Sequence, residues 1–144
     1  MIELLGNPLT QEYDDFKSLV LSDDFPWFIE RNPKDDFDFY SHVFLERPYS
    51  DRRYPAVTSQ FMDLANVVMN QIIDYNNLAV NCILRLNANA VHPWYYNSQN
   101  TAPHVDHDFP HYNLLVYLTN AGGDTHCEGQ VHEPIEDDVI LFEG

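Results

Sequence analysis

Positive charge is scarce in this chain: 7 Lys and Arg stand against 23 Asp and Glu, a net charge of −16 over 144 residues. Nucleic acids and anionic membrane surfaces are held by basic patches, so neither is an expected partner. An acidic surface serves solubility and favours basic partners. Cysteine is also rare. Cys82 and Cys127 are too few for a disulfide framework, and Cys82, in an apolar run, reads as a small buried residue. The sequence opens with no basic–apolar signal pattern, and no apolar run approaches ~18 residues. The expectation is a soluble, cytoplasmic protein with no membrane partner. Apolar residues, by contrast, are plentiful. A hydrophobic content of 44% with 14% aromatics is enough for one folded domain spanning residues 1–144 with a real core.

Periodicity divides the chain into an early helical part and a later strand-rich part. Ile2–Leu5 suits a short first strand. Thr10 is placed to cap a helix, with Glu12, Asp14 and Asp15 in its first turns and Tyr13, Phe16 and Val20 at helical spacing. Phe25–Ile29 and Asp38–Leu45 read as strands around the turn-rich Arg31–Asp36. A second helix is predicted from about Pro55 to Tyr75, with Val57, Phe61, Leu64, Val68 and Ile72 as one apolar stripe and Asn76-Asn77 as the stop. Val80–Leu86 is apolar enough for a strand inside a sheet, and Asn87–Asn100 reads as a loop. Further strands are predicted at about Val105, Leu114–Thr119, Thr125–Cys127 and Val139–Phe142. Helices first and short strands later imply an α+β domain, a β-sandwich with helices packed on one sheet.

The stretch from Thr101 to Thr125 carries the chemistry. In an extended segment His104 and Asp106 point to the same face, so one imidazole and one carboxylate converge. They make two-thirds of a 2-His-1-carboxylate triad, the donor set that holds non-haem Fe(II) with positions left open. A zinc site of His104, His107 and His111 fits less well, because His107 is odd-spaced from His104 and Asp108-Phe109-Pro110 bends the chain. His126 and His132 read as surface residues, either available as a substitute third ligand. His42 and His92 have no partner pattern.

Downstream of His104 and Asp106 lie an apolar strand, Leu114-Leu-Val-Tyr-Leu118, then Asn120-Ala-Gly-Gly123 and Asp124-Thr125. This pattern resembles the iron(II)/2-oxoglutarate-dependent dioxygenases, in their prolyl-4-hydroxylase-like branch. The match is specific from about Arg85 to Thr125 and looser from Glu133 to Gly144. The resemblance implies a distorted double-stranded β-helix, or jelly roll, with N-terminal helices on one sheet. It also implies His104 and Asp106 as metal ligands, with Fe(II) and 2-oxoglutarate as cofactors. Such an enzyme activates O₂, releases CO₂ and succinate, and hydroxylates an unactivated C–H bond of a small-molecule or peptidyl substrate. Arg85, Asn87, Tyr117 and Thr125 are the candidates for holding 2-oxoglutarate, and Trp94 and Tyr96 for a substrate loop. In the family a distal His and a later Arg or Lys come after a strand like Val139–Phe142. The chain stops before both, so the expectation is a C-terminally truncated domain with little or no activity.

A different class of function starts from Asp138–Phe142, which has no later strand to cover it. An uncovered apolar strand edge is a template for pairing. On that reading the chain is a non-catalytic jelly-roll module that forms a homodimer through its C-terminal strand.

Overall fold

The computed structural model describes residues 1–32, 37–49, 53–91, 103–120 and 123–144. It is an α+β structure with two helices and mostly antiparallel strands in open sheets. Among the described residues no helix is long and apolar enough to cross a membrane. The chain forms two compact units, one of residues 8–31 and 38–90, the other of residues 1–7, 32–37 and 91–144.

The first of these contains both helices. Helix α1 (Gln11–Val20) starts at Thr10, whose Oγ1 accepts the Tyr13 N–H at 3.2 Å. Losing such a cap costs about 1 kcal/mol. The Thr10 hydroxyl in turn donates to Gln71 Oε1 at 2.6 Å, and the Gln71 amide donates to Glu12 at 3.1 Å. That last bond holds the Glu12 carboxyl below its ordinary value, with help from a backbone hydrogen bond. Tyr13, Phe16 and Val20, the predicted stripe, are all buried.

Helix α2 (Met62–Tyr75) begins later than its apolar pattern suggests. Ala56–Val57 instead form a short strand, β4, paired with Leu45 and Glu46, and Val57 is 65% exposed. Hydrogen bonds back to Val43 and Phe44 decide this. The Thr58 N–H donates to the Phe44 carbonyl at 3.0 Å and its hydroxyl to the Val43 carbonyl at 2.8 Å. Ser59 Oγ then takes the Phe61 N–H at 3.1 Å. Side-chain oxygens of this kind compete with helical bonding and hold back the first turn. Within α2 the buried residues are Ala65, Val68 and Ile72, and Asn77 lies just past its end at φ 53°.

The sheet of this unit joins β4 to β2 (Phe28–Asn32), β3 (Phe37–Glu46) and β5 (Leu86–Ala90), with β3 pairing all three. Phe44 of β3 packs on Phe16 of α1, with ring centroids 5.6 Å apart. His42, two residues earlier, is buried between Phe25 at 4.6 Å and Phe44 at 4.8 Å. Its Nδ1 lies 2.7 Å from the Pro26 carbonyl and its Nε2 2.7 Å from Ser59 Oγ. A carbonyl only accepts, so Nδ1 carries a proton and a neutral ring satisfies both contacts. His42 is therefore a core residue with both nitrogens paired.

Two expectations fail here. Residues 82–85 are not a strand, Cys82 is exposed and Val80 is 47% exposed. β5 instead begins at Leu86 and includes Asn87–Ala90, which the sequence reads as loop. Apolar composition alone does not make a strand. β5 forms where a partner exists, with Val43 opposite Asn87 and Tyr40 opposite Ala90.

The other unit is built on a three-stranded antiparallel sheet in the order β1 (Glu3–Leu5), β9 (Val139–Glu143), β6 (Tyr112–Val116). β9 is its central strand, with Ile140 opposite Leu4 on one side and Leu115 on the other. This corrects the expectation of an exposed C-terminal strand edge. The edges belong to β1 and β6, and Val139 and Ile140 are fully buried. The basis for a homodimer through that strand is removed.

A separate hairpin joins β7 (Thr125–Cys127) to β8 (Gln130–His132). Its turn residues, Glu128 at φ 47° and Gly129 at φ 80°, both take the left-handed conformation that tight two-residue hairpins require. Glycine adopts that conformation at no steric cost.

Candidate functional site

The segment before β6 does not form the expected strand at Val105. Residues 103–111 are irregular, with a bend at Asp106. Pro103 and Pro110 lack the N–H a ladder needs, and Asp106 and Asp108 favour turns. His104 is exposed and Asp106 half-buried, and the alternation that would put both on one sheet face does not apply to them. Within this segment the His107 ring stacks on Phe109 at 4.8 Å and meets His111 edge-on at 4.8 Å. His111 Nδ1 donates to the Phe109 carbonyl at 2.8 Å, while its buried Nε2 has no hydrogen-bond partner. The Gly144 N–H donates to the His111 carbonyl at 3.1 Å, and any Cβ at Gly144 would run into the His111 ring and the Asn113 amide.

The residue after β6, Tyr117, is where polar groups converge. Its N–H donates to the Asp138 carbonyl at 3.0 Å, and its carbonyl accepts the Asp137 N–H at 2.8 Å. The Tyr117 hydroxyl and Thr125 Oγ1 are 2.6 Å apart, which joins two of the predicted cofactor-binding residues. His132 stacks on the Tyr117 ring at 5.4 Å and 27°. Its Nε2 lies 3.2 Å from Asp138 Oδ2, within ion-pair distance but without hydrogen-bond alignment. Burial raises the Tyr117 phenol above its ordinary pKa. Its bond to Thr125 opposes this, and the carboxylates of Asp124 and Asp138 add to it. The phenol is held neutral.

Arg85 and Asn87 belong to the helical unit, where the Asn87 amide donates to Asn89 Oδ1 at 2.6 Å. A hollow of about 240 Å³ in that unit is lined by Phe28, Glu30, Ser41, Val43, Glu46 and Thr58, and Val43 is the register partner of Asn87. Trp94 and Tyr96, the expected substrate loop, and His92 fall outside the described residues.

His132 and Asp138 are the members of the cluster that sequence reasoning did not place there. One signal pointed to His132. The Glu128-Gly129 turn sets the hairpin register so that His132 faces Thr125 directly. Nothing local in the sequence ties Asp138 to either.

As donors, His104 and Asp106 offer one imidazole nitrogen and one anionic oxygen, which suit two of the three protein positions of an Fe(II) site. Among the described residues no group of three His, Cys, Asp or Glu side chains converges. The donor set described is thus of the right chemistry and incomplete. No protein-family model, no curated protein and no solved structure matches the chain.

Proposed function

We propose that the chain is a 2-oxoglutarate/Fe(II)-dependent dioxygenase domain of hydroxylase type, built on a distorted jelly roll. The observation that carries the reading is the 2.6 Å contact between Tyr117 and Thr125. These residues are nominated by the motif and lie eight apart in the chain, beyond the reach of any single strand's alternation. His104 and Asp106 are the proposed metal ligands, and Arg85 and Asn87 remain candidates for the co-substrate. When bound, Fe(II) and 2-oxoglutarate supply the oxidising chemistry. The chain's own contribution is to bind and orient: one of the two neutral hydroxyls donates to the other, and the pair's remaining O–H donates to a carboxylate without adding charge. The substrate is a small molecule or a peptidyl side chain.

The test is Fe(II) titration by calorimetry with and without 2-oxoglutarate, on this chain and on His104→Ala and Asp106→Ala, alongside 2-oxoglutarate decarboxylation. The expected result is metal binding that 2-oxoglutarate tightens and that either substitution removes. Decarboxylation should then fall to background in both variants. Binding indifferent to the co-substrate and to both substitutions would sink the reading.

A further inference from the structure

We propose that His132, anchored by Asp138, is the positioning residue that aims the Tyr117 hydroxyl at Thr125. The contacts form a closed circuit. The Tyr117 backbone is bonded on both sides to Asp137 and Asp138. Asp138 Oδ2 lies 3.2 Å from His132 Nε2, in contact but out of hydrogen-bond line, and the His132 ring lies over the Tyr117 ring with the planes 27° apart. The opposite end of the phenol is fixed by Thr125, which is the register partner of His132 across the hairpin.

A tyrosine ring has two torsions to settle. The stack on His132 sets the ring plane and blocks the ring's swing to that side, and that swing is what carries the hydroxyl toward or away from Thr125. Stacked rings are also a weak, geometry-dependent contact, so the anchor on His132 matters. Asp138 supplies it from the same residue that clamps the Tyr117 backbone, so ring and backbone move together. His132 meets the face of the Tyr117 ring and not its hydroxyl. It acts through Tyr117.

The consequence for 2-oxoglutarate rests on the dioxygenase reading, but the geometric claim does not. The experiment therefore has two arms on His132→Gln, His132→Phe and Asp138→Asn. In the first, ring and hydroxyl signals of Tyr117 are tracked by NMR, including nuclear Overhauser contacts between the Tyr117 ring and the Thr125 methyl. His132→Phe keeps a ring over Tyr117 and should retain those contacts. His132→Gln should lose them, and Asp138→Asn should weaken them. In the second arm the KM for 2-oxoglutarate should rise about tenfold in His132→Gln with kcat within about twofold, since misplacing a binding group affects affinity first. His132→Phe should recover most of that loss, which a general fault in folding would not allow.

Unchanged Tyr117 contacts in His132→Gln would overturn the proposal, as would an equal loss in the Phe and Gln variants. Should His132→Gln fail to fold, Asp138→Asn decides, and unaltered Tyr117 contacts there would overturn it. If 2-oxoglutarate does not tighten Fe(II) binding to the parent chain, the dioxygenase reading fails while the NMR arm still judges the circuit.

Discussion

The two units of the chain are held together by different means. The helical unit closes on aromatic and aliphatic side chains, with Tyr13, Phe16, Val20, Phe25, Phe44, Leu45, Ala65, Val68 and Ile72 buried. In the other unit the fully buried apolar residues among those described are Val139 and Ile140, both on β9. Just before β9 in the chain, Asp138 joins the polar cluster of Tyr117, Thr125 and His132. A dense apolar core resists local opening, whereas a thin core with polar contacts leaves neighbouring elements near the low-stability end of the molecule. The helical unit has the denser apolar core, and His104, Asp106, Tyr117 and Thr125 all fall in the sheet-and-hairpin unit.

This contrast can be broken most sharply at Phe44. Phe44→Ala removes the ring that meets Phe16, Phe25 and His42, and should cost about 3–5 kcal/mol. Amide hydrogen exchange should accelerate across α1 and α2 and leave β1, β6 and β9 nearly unchanged. Ile140→Ala should give the opposite map at a cost of about 2–5 kcal/mol, opening β1, β6 and β9 together. Acceleration spread evenly over both units in either variant would mean that they unfold as one body.

The smallest effect sharpens the polar side of the comparison. The Tyr117 phenol is raised by burial, so it stays neutral in the fold while the unfolded chain ionises first. Its stabilising contribution is complete below the ordinary phenol pKa of about 10 and is lost as pH climbs through the folded value. Tyr117→Phe should therefore flatten the alkaline decline in Tm, at a neutral-pH cost of about 0.5–1.5 kcal/mol for the lost bond to Thr125. An alkaline decline as steep as in the parent would show that some other tyrosine governs it.

Legibility in the sequence divides along the same line. Helix α1, its Thr10 cap and its buried stripe are local features, set within a few residues, and they read correctly. So do the core of α2 at Val68 and Ile72, and the positions of β1, β7 and β9. The failures came where a distant partner decides. The start of α2 was lost to hydrogen bonds between Thr58 and β3, and the stretch around Cys82 looked apolar but has no strand to pair with among the described residues. Tyr117 and Thr125, each nominated by the motif, meet at 2.6 Å. The contacts of His132 with Tyr117 and Asp138 were not legible, because a ring stack and a close approach between separate segments leave no periodic trace.

The placement of β9 between β1 and β6 also sets an order of events as the chain is made. Leu4 has no sheet partner until Ile140 exists, and β6 is likewise unpaired until β9 arrives. The helical unit meets no such delay, because β3, β4, α2 and β5 succeed one another closely in the chain. Pairings so distant in sequence are slow to form, since loop closure precedes any gain from contact. During synthesis, then, β1 and β6 present bare strand edges until residues 139–143 emerge. That interval is when a chaperone would matter most.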